Sequence, residues 1–136
     1  MANENLHLSQ AYHNIKLAKH ILDNNCIFPD WAITSFFYAA IHFFEAQFYK
    51  RSSKHGEEEA QKGDGPSAHA YRRHIIHNNH KLIYKEWAEL NTASNQARYL
   101  IGLDKPAYDY FSEQNVKEFE KKIGTIRHYF GYIPNP

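Results

Sequence analysis

Residues 30 to 49 read DWAITSFFYAAIHFFEAQFY, the one stretch of this chain apolar enough to be the centre of a core. At about 100° per residue, Phe36, Phe37, Ala39, Ala40, Ile41, Phe43, Phe44 and Phe48 spread around more than half of a helical circumference, so other helices must cover it. The remaining positions, Asp30, Thr34, Ser35, Tyr38, His42, Glu45 and Tyr49, fall within a sector of about 140°. Two readings of this polar stripe stand. It is the solvent side of the helix, or it is covered by a segment that brings donors and acceptors of its own. HAYRRHIIHNNH at 69–80 is the obvious supplier.

Working outward, Pro29 and Asp30 open this central helix, where a missing N–H costs nothing and an acid complements the dipole. Lys50 and Arg51 close it. Upstream, Leu8, Ala11, Ile15, Ala18 and Leu22 step by three and four along one amphipathic helix, and Asp23-Asn24-Asn25 reads as its stop. Downstream, residues 51–66 are polar, charged and glycine-containing, a surface loop with a short helical turn at Glu57 to Lys62. Pro66 restarts helix. The segment from there to Gly102 would be a rod of about 50 Å if unbroken, too long for this bundle, so a break is expected near Asn78-Asn79. Past it, Ile83, Trp87, Leu90, Ser94, Ala97 and Ile101 form a four-three stripe with Gly102 as its C′ residue. DKPAYDYF at 104–111 is a connector. Ser112 is the N-cap of a last helix carrying Val116, Phe119, Ile123, Ile126 and Phe130, and residues 131–136 are a tail. No strand alternation and no internal repeat is present. The chain reads as one all-α domain over residues 1–136, an antiparallel up-and-down bundle of four long helices plus a short one.

Composition narrows the function. The length of 136 residues suits a single core, and an aromatic share of 15% makes that core rich in Phe and Tyr. Sixteen basic and fifteen acidic residues leave a formal charge of +1, so any polyanion site must be local rather than a property of the whole field. The single cysteine, Cys26, allows no intramolecular disulfide and no multi-cysteine zinc site. The opening MANENLHLSQ is polar and does not read as a secretion signal, and no run reaches the roughly 18 apolar residues of a membrane span. A cytoplasmic location without membrane contact is the expectation.

Histidine is the compositional outlier, ten in the chain. His69, His74, His77 and His80 fall within twelve residues of one another around Arg72 and Arg73. With Arg72 at zero on a helical wheel, His69 stands at about 60°, His80 at about 80°, Arg73 at about 100° and His77 at about 140°. One face therefore carries the basic groups, while Ala68, Tyr71, Ile75 and Leu82 lie opposite and are expected to face the core; His74 points elsewhere. Such a face is either simply solvated or chemically able. A guanidinium holds non-bridging phosphate oxygens and stabilises the charge developing on them, and a histidine takes a proton from a ribose 2′-hydroxyl or gives one to the leaving 5′-oxygen. No cofactor is implied by that chemistry.

Metal binding is the weaker reading. His42, Glu45 and two of His69, His77 and His80 would have to converge in the bundle to hold zinc or iron, and the Glu-x-x-His pairs of di-iron bundles are missing. No nucleophile elbow and no glycine-rich phosphate loop is found.

Asp30-Trp31-Ala32 followed by Ser35-Phe36-Phe37-Tyr38-Ala39-Ala40-Ile41-His42 and Glu45-Ala46 resembles the central helix of HEPN-domain proteins. The resemblance extends to His69-x-x-Arg72 and to Tyr84, Leu90, Ser94 and Ala97-Arg98-Tyr99. It implies a helical bundle, commonly a homodimer, of the kind found in prokaryotic conflict systems, with a nucleotidyltransferase-type antitoxin as a possible partner. Many such proteins are metal-independent endoribonucleases using an Arg-x(4–6)-His motif at the dimer cleft; others are non-catalytic modules that bind nucleotide, nucleic acid or protein. Two frames fit here, Arg72-x4-His77 and Arg73-x6-His80, and the wheel favours the second because positions seven apart share a face. The expected catalytic residues are Arg73, His80 and His77. Arg72, His69, His42, Glu45 and Tyr38 are the expected phosphate- or ligand-binding set. His69 and Arg72 have an alternative role in packing against Glu45 or His42.

Overall fold

The side chain of Asn3 accepts from the backbone N–H of Leu6 and starts α1, Glu4–Asp23, satisfying one of the donors a helix leaves open at its first turn. The asparagine signal ends it: Asn24 is the C-cap, and Asn25 and Cys26 take left-handed φ values of 67° and 49°. Pro29 then sits in the first turn of α2, Pro29–Ser52, which Ser53 closes at φ 57°. The computed structural model describes residues 3–54, 56–61 and 67–134. Downstream lie α3 (Gly56–Gln61), α4 (Ala68–Asn79), a 3-10 turn (Lys81–Ile83), α5 (Tyr84–Tyr99), α6 (Ala107–Tyr110) and α7 (Glu113–Tyr129). The described residues are all-helical, seven helices with no strand.

Helix α2 is the hub, with α1, α5 and α7 packed along it. Ala11 and Ala18 of α1 are fully buried, and their small side chains let the two backbones approach closely. Trp87 of α5 lies edge-on to Phe37 and Phe44, with ring centroids 5.8 and 5.9 Å away. Val116, Ile123 and Ile126 close the core from α7, whose N-terminus carries a capping box between Ser112 and Asn115.

The polar stripe of α2 is covered, not solvated. Thr34, Ser35 and Glu45 are buried, and Asp30, Tyr38, His42 and Tyr49 are half-buried. The 69–80 segment supplies a partner for Glu45, whereas His42 and Tyr38 are met from α1 and α5.

Several expectations need correction. The loop at 51–66 begins later, because Arg51 and Ser52 still belong to α2; the short helical turn expected within it is α3, Gly56–Gln61. Lys62 and Pro66 lie outside the described residues; helix restarts at Ala68 behind the Ser67 N-cap. Helices α1, α2, α5 and α7 run to 20, 24, 16 and 17 residues and α4 is shorter at 12, while the connector at 104–111 carries the four-residue α6. Helix α5 stops at Tyr99, before Gly102, because Leu100 itself adopts a left-handed φ of 59°; Ile101 is consequently exposed. The tail is tied down at Tyr132 and at the Ile133 carbonyl. Tyr132 stacks on Phe43 with centroids 5.9 Å apart and bonds through its hydroxyl to Glu4, while the Tyr12 hydroxyl donates to the carbonyl of Ile133.

The largest difference is the rotation of α4. Its buried residues are Arg72 and Ile76, while Tyr71 and Ile75 of the predicted core face are half-buried, Ile75 against the core and Tyr71 edge-on to Phe48; Leu82, in the 3-10 turn beyond the helix end, is 84% exposed. A buried carboxylate on α2 outweighs the apolar gain from Tyr71 and Ile75, because an unpaired charge inside a protein costs far more than partial exposure of an apolar side chain.

Candidate functional site

The rotation of α4 divides the Arg/His constellation into three settings. Arg72 is turned inward: its Nε donates to Glu45 Oε1 at 2.9 Å, and the two side chains are 6% and 4% exposed. The second oxygen of Glu45 accepts from the backbone N–H of Gly56 at 2.8 Å, so one carboxylate ties α2 to α3 and α4. With its guanidinium bonded to Glu45 in the interior, Arg72 takes the packing role against Glu45 that is its alternative to phosphate binding. His69 is also inward, its ring stacked on Phe37 at 6.0 Å.

Arg73 and His77 stay on the outside, one helical turn apart. They line an open groove of about 600 Å³ together with Ala70, Tyr71, His74 and Tyr84. The Tyr84 ring stands edge-on to His77, centroids 4.8 Å apart. Asn78 contacts both imidazoles: its Nδ2 lies 3.0 Å from His74 Nε2 and 3.2 Å from His74 Nδ1, and its Oδ1 lies 3.4 Å from His77 Nδ1. His74, expected to point elsewhere, is therefore a groove residue. Tyr71, expected to face the core, lines the groove as well. Tyr84 was visible in the sequence only as part of a helix stripe, since its approach to His77 depends on the turn between α4 and α5.

His80 goes to a different recess. Helix α4 ends one residue before it, and as the C-cap it takes φ −135° and ψ 50°, which removes it from the wheel that paired it with Arg73. Its Nδ1 meets the Tyr129 hydroxyl at 2.9 Å, and its ring stands edge-on to Phe130. Burial and the nearby Arg51 cation hold its pKa below the ordinary histidine value. The structure thus does not bring Arg73 and His80 into one cavity.

The other expected ligand residues form a network along the α2 stripe. His42 Nδ1 lies 3.0 Å from His7 Nδ1 of α1. Burial, then the charges of His7 and Arg72, lower the pKa of His42 to about 4, with Glu45 opposing. Tyr38 accepts from Arg98 of α5 at 2.8 Å, and the same guanidinium lies over the Tyr38 and Tyr99 rings, 5.3 and 4.8 Å from their centroids. Its Nε donates to the fully buried Ser94. Through its bonds to Ser94 and Tyr38, Arg98 clamps α5 to α2. The histidine partner His7 and the Arg98–Tyr38 bond carry no periodic signal and are legible only once α1 and α5 are laid against α2.

A metal site would need three or more of these ligands together, and no such group of His, Cys, Asp or Glu occurs among the described residues. His77 and His80 diverge from His42 and Glu45, so the convergence that the metal reading requires is not formed. No helix among the described residues is long and apolar enough to cross a membrane.

Chemically, the α4 groove offers one guanidinium, two imidazoles and two phenol rings on an exposed surface. A guanidinium is suited to phosphate oxygens, imidazoles move protons near neutral pH, and aromatic faces accept unstacked bases. Comparison of the chain with protein-family models, with curated proteins and with solved structures returns no match.

Proposed function

We propose that this chain is a HEPN-like protein whose α4 groove binds RNA and cleaves it without metal. The observation that carries the reading is the placement of Arg73, His74 and His77 in one open groove between Tyr71 and Tyr84. In this reading Arg73 holds the non-bridging oxygens of the scissile phosphate. His77 takes the proton from the 2′-hydroxyl, the 2′-oxygen attacks phosphorus, and a second imidazole, His74, protonates the departing 5′-oxygen, leaving a 2′,3′-cyclic phosphate and a 5′-hydroxyl. The tyrosines bracket the flanking bases. A four-long-helix antiparallel bundle, a homodimer that places two grooves side by side, a cytoplasmic location and a nucleotidyltransferase-type antitoxin belong to the same reading.

One observation favours the non-catalytic alternative, a module that binds RNA or nucleotide without turnover: with Arg72 held by Glu45, a single arginine serves the groove. Cleavage of a mixed RNA in the presence of EDTA, compared between the wild type and Arg73→Ala/His77→Ala, separates the two. Turnover that depends on these residues supports the nuclease, and binding that depends on them without turnover supports the module.

A further inference from the structure

The recess that receives His80 lies on the other side of α4 from the groove, since Ile75 and Asn79 stand roughly opposite Arg73 and His77 on the wheel. It measures about 220 Å³, less than the roughly 300–1,000 Å³ of pockets for drug-sized ligands. Its walls are aromatic: Phe44, Phe48 and Phe130 line it, with Phe44 and Phe48 stacked at 5.5 Å and Phe44 and Phe130 only 1% and 8% exposed. Its polar groups come from elements far apart in the chain, Gln47 and Arg51 at the end of α2 and Asn79 and His80 at the end of α4.

These polar groups are available. Among the described residues, Arg51 is within ion-pair distance of no carboxylate. His80 is oriented by its Nδ1 contact with the Tyr129 hydroxyl, which leaves Nε2 as its other hydrogen-bonding atom. In the tautomer whose Nδ1 accepts from the Tyr129 hydroxyl, the ring's proton is on Nε2. The recess then offers one fixed cation and one neutral donor above a rigid apolar floor. A ligand with a flat or branched apolar body and a single oxyanion head complements both halves: the body excludes water from the phenylalanine rings, and the head meets the guanidinium in a charge-assisted hydrogen bond.

We infer that this recess is a binding site for a small organic anion, whose aromatic or branched body packs on Phe44, Phe48 and Phe130 and whose carboxylate or phosphate is held by Arg51 and His80. The inference does not rest on the RNA reading of the α4 groove, because the two cavities share no lining residue.

The test is a nuclear magnetic resonance titration of the isotope-labelled full chain with benzoate and with phenyl phosphate, using inorganic phosphate and benzyl alcohol as the head-only and body-only probes. The expected result is saturable shifts of the Phe44, Phe48 and Phe130 ring resonances with benzoate or phenyl phosphate, and weaker effects with either partial probe. Arg51→Gln, on an exposed side chain, should weaken binding by about tenfold or more while leaving the amide spectrum folded, and Arg73→Gln should leave binding unchanged. Saturation absent with both complete probes, benzyl alcohol binding as well as benzoate, inorganic phosphate binding as well as phenyl phosphate, or an Arg51→Gln variant binding as tightly as the wild type would each overturn the inference.

Discussion

Glu45 and Arg72 meet in the interior at 2.9 Å, the carboxylate of the central helix against the guanidinium of α4, with Gly56 donating its backbone N–H to the other carboxylate oxygen. This pair fixes which face of α4 is inside, and so which of its basic residues reach solvent. Removing one partner leaves a buried charge uncompensated: Arg72→Met should cost about 3–5 kcal/mol in urea unfolding, and Glu45→Leu/Arg72→Met should recover part of it, the remainder being the cost of about 1–3 kcal/mol for the Gly56 N–H left without its acceptor. An Arg72→Met protein as stable as the wild type would contradict the role assigned to the pair.

Gly56 is placed by the same carboxylate. A Cβ added there would lie 2.6 Å from Glu45 Oε1 and 3.1 Å from Phe44 Cε1. Gly56→Ala should therefore destabilise by about 1–3 kcal/mol. Gly124, inside α7 with nothing within 4 Å of an added Cβ, is the control: Gly124→Ala should stabilise by about 0.5–1 kcal/mol through helix propensity. Thermal unfolding of the two variants should move in opposite directions.

Burial of His42, with His7 beside it, makes stability depend on pH. The folded pKa of His42 lies at about 4, below its ordinary 6.5, so between these values the unfolded chain binds the proton and the folded one does not. Stability is complete above about pH 6.5 and falls by up to about 1.4 kcal/mol per pH unit as pH drops toward 4. His42→Gln should flatten urea-midpoint profiles measured between pH 5 and pH 7.5; an unchanged slope would assign the acid sensitivity elsewhere.

Tyr132 is part of the packed structure, and the Ile133 carbonyl is anchored to Tyr12. Truncation after Phe130 removes the Tyr132 ring from Phe43, its bond to Glu4 and the Tyr12 bond to the Ile133 carbonyl. The expected loss is about 1–3 kcal/mol, read as a lower unfolding midpoint, and a truncated chain as stable as the full one would refute the contact.

Much of this fold is legible in the sequence because its signals are local. The apolar girth of residues 30–49, the Asn stop after Asp23, Pro29 in a first turn, the Ser112 cap and the need to break the rod near Asn78-Asn79 all depend on neighbours within one or two turns. What is not legible depends on long-range partners. A packing role for Arg72 against Glu45 or His42 is legible, but the choice of Glu45 is made only when α4 is laid on α2. Leu100 ends α5 in a conformation usually left to glycine, and Tyr132 looks like tail until Phe43 and Glu4 are beside it. The candidate site follows the same division: its residue types and its segment were visible, but its pairing was not, because one residue beyond the helix end places His80 with Arg51 while His74 and His77 remain with Arg73.

The central claim is that the α4 groove cleaves RNA by arginine and histidine chemistry. The most direct measurement is single-turnover cleavage of a mixed RNA in EDTA by the wild type and by Arg73→Ala/His77→Ala, with product ends identified and folding checked by circular dichroism. The account predicts 2′,3′-cyclic phosphate ends from the wild type and a rate lower by about 10²–10⁴-fold in a folded double variant, the scale of lost general acid–base catalysis. Equal cleavage rates, or wild-type protein that leaves RNA intact at concentrations where it binds, would contradict it.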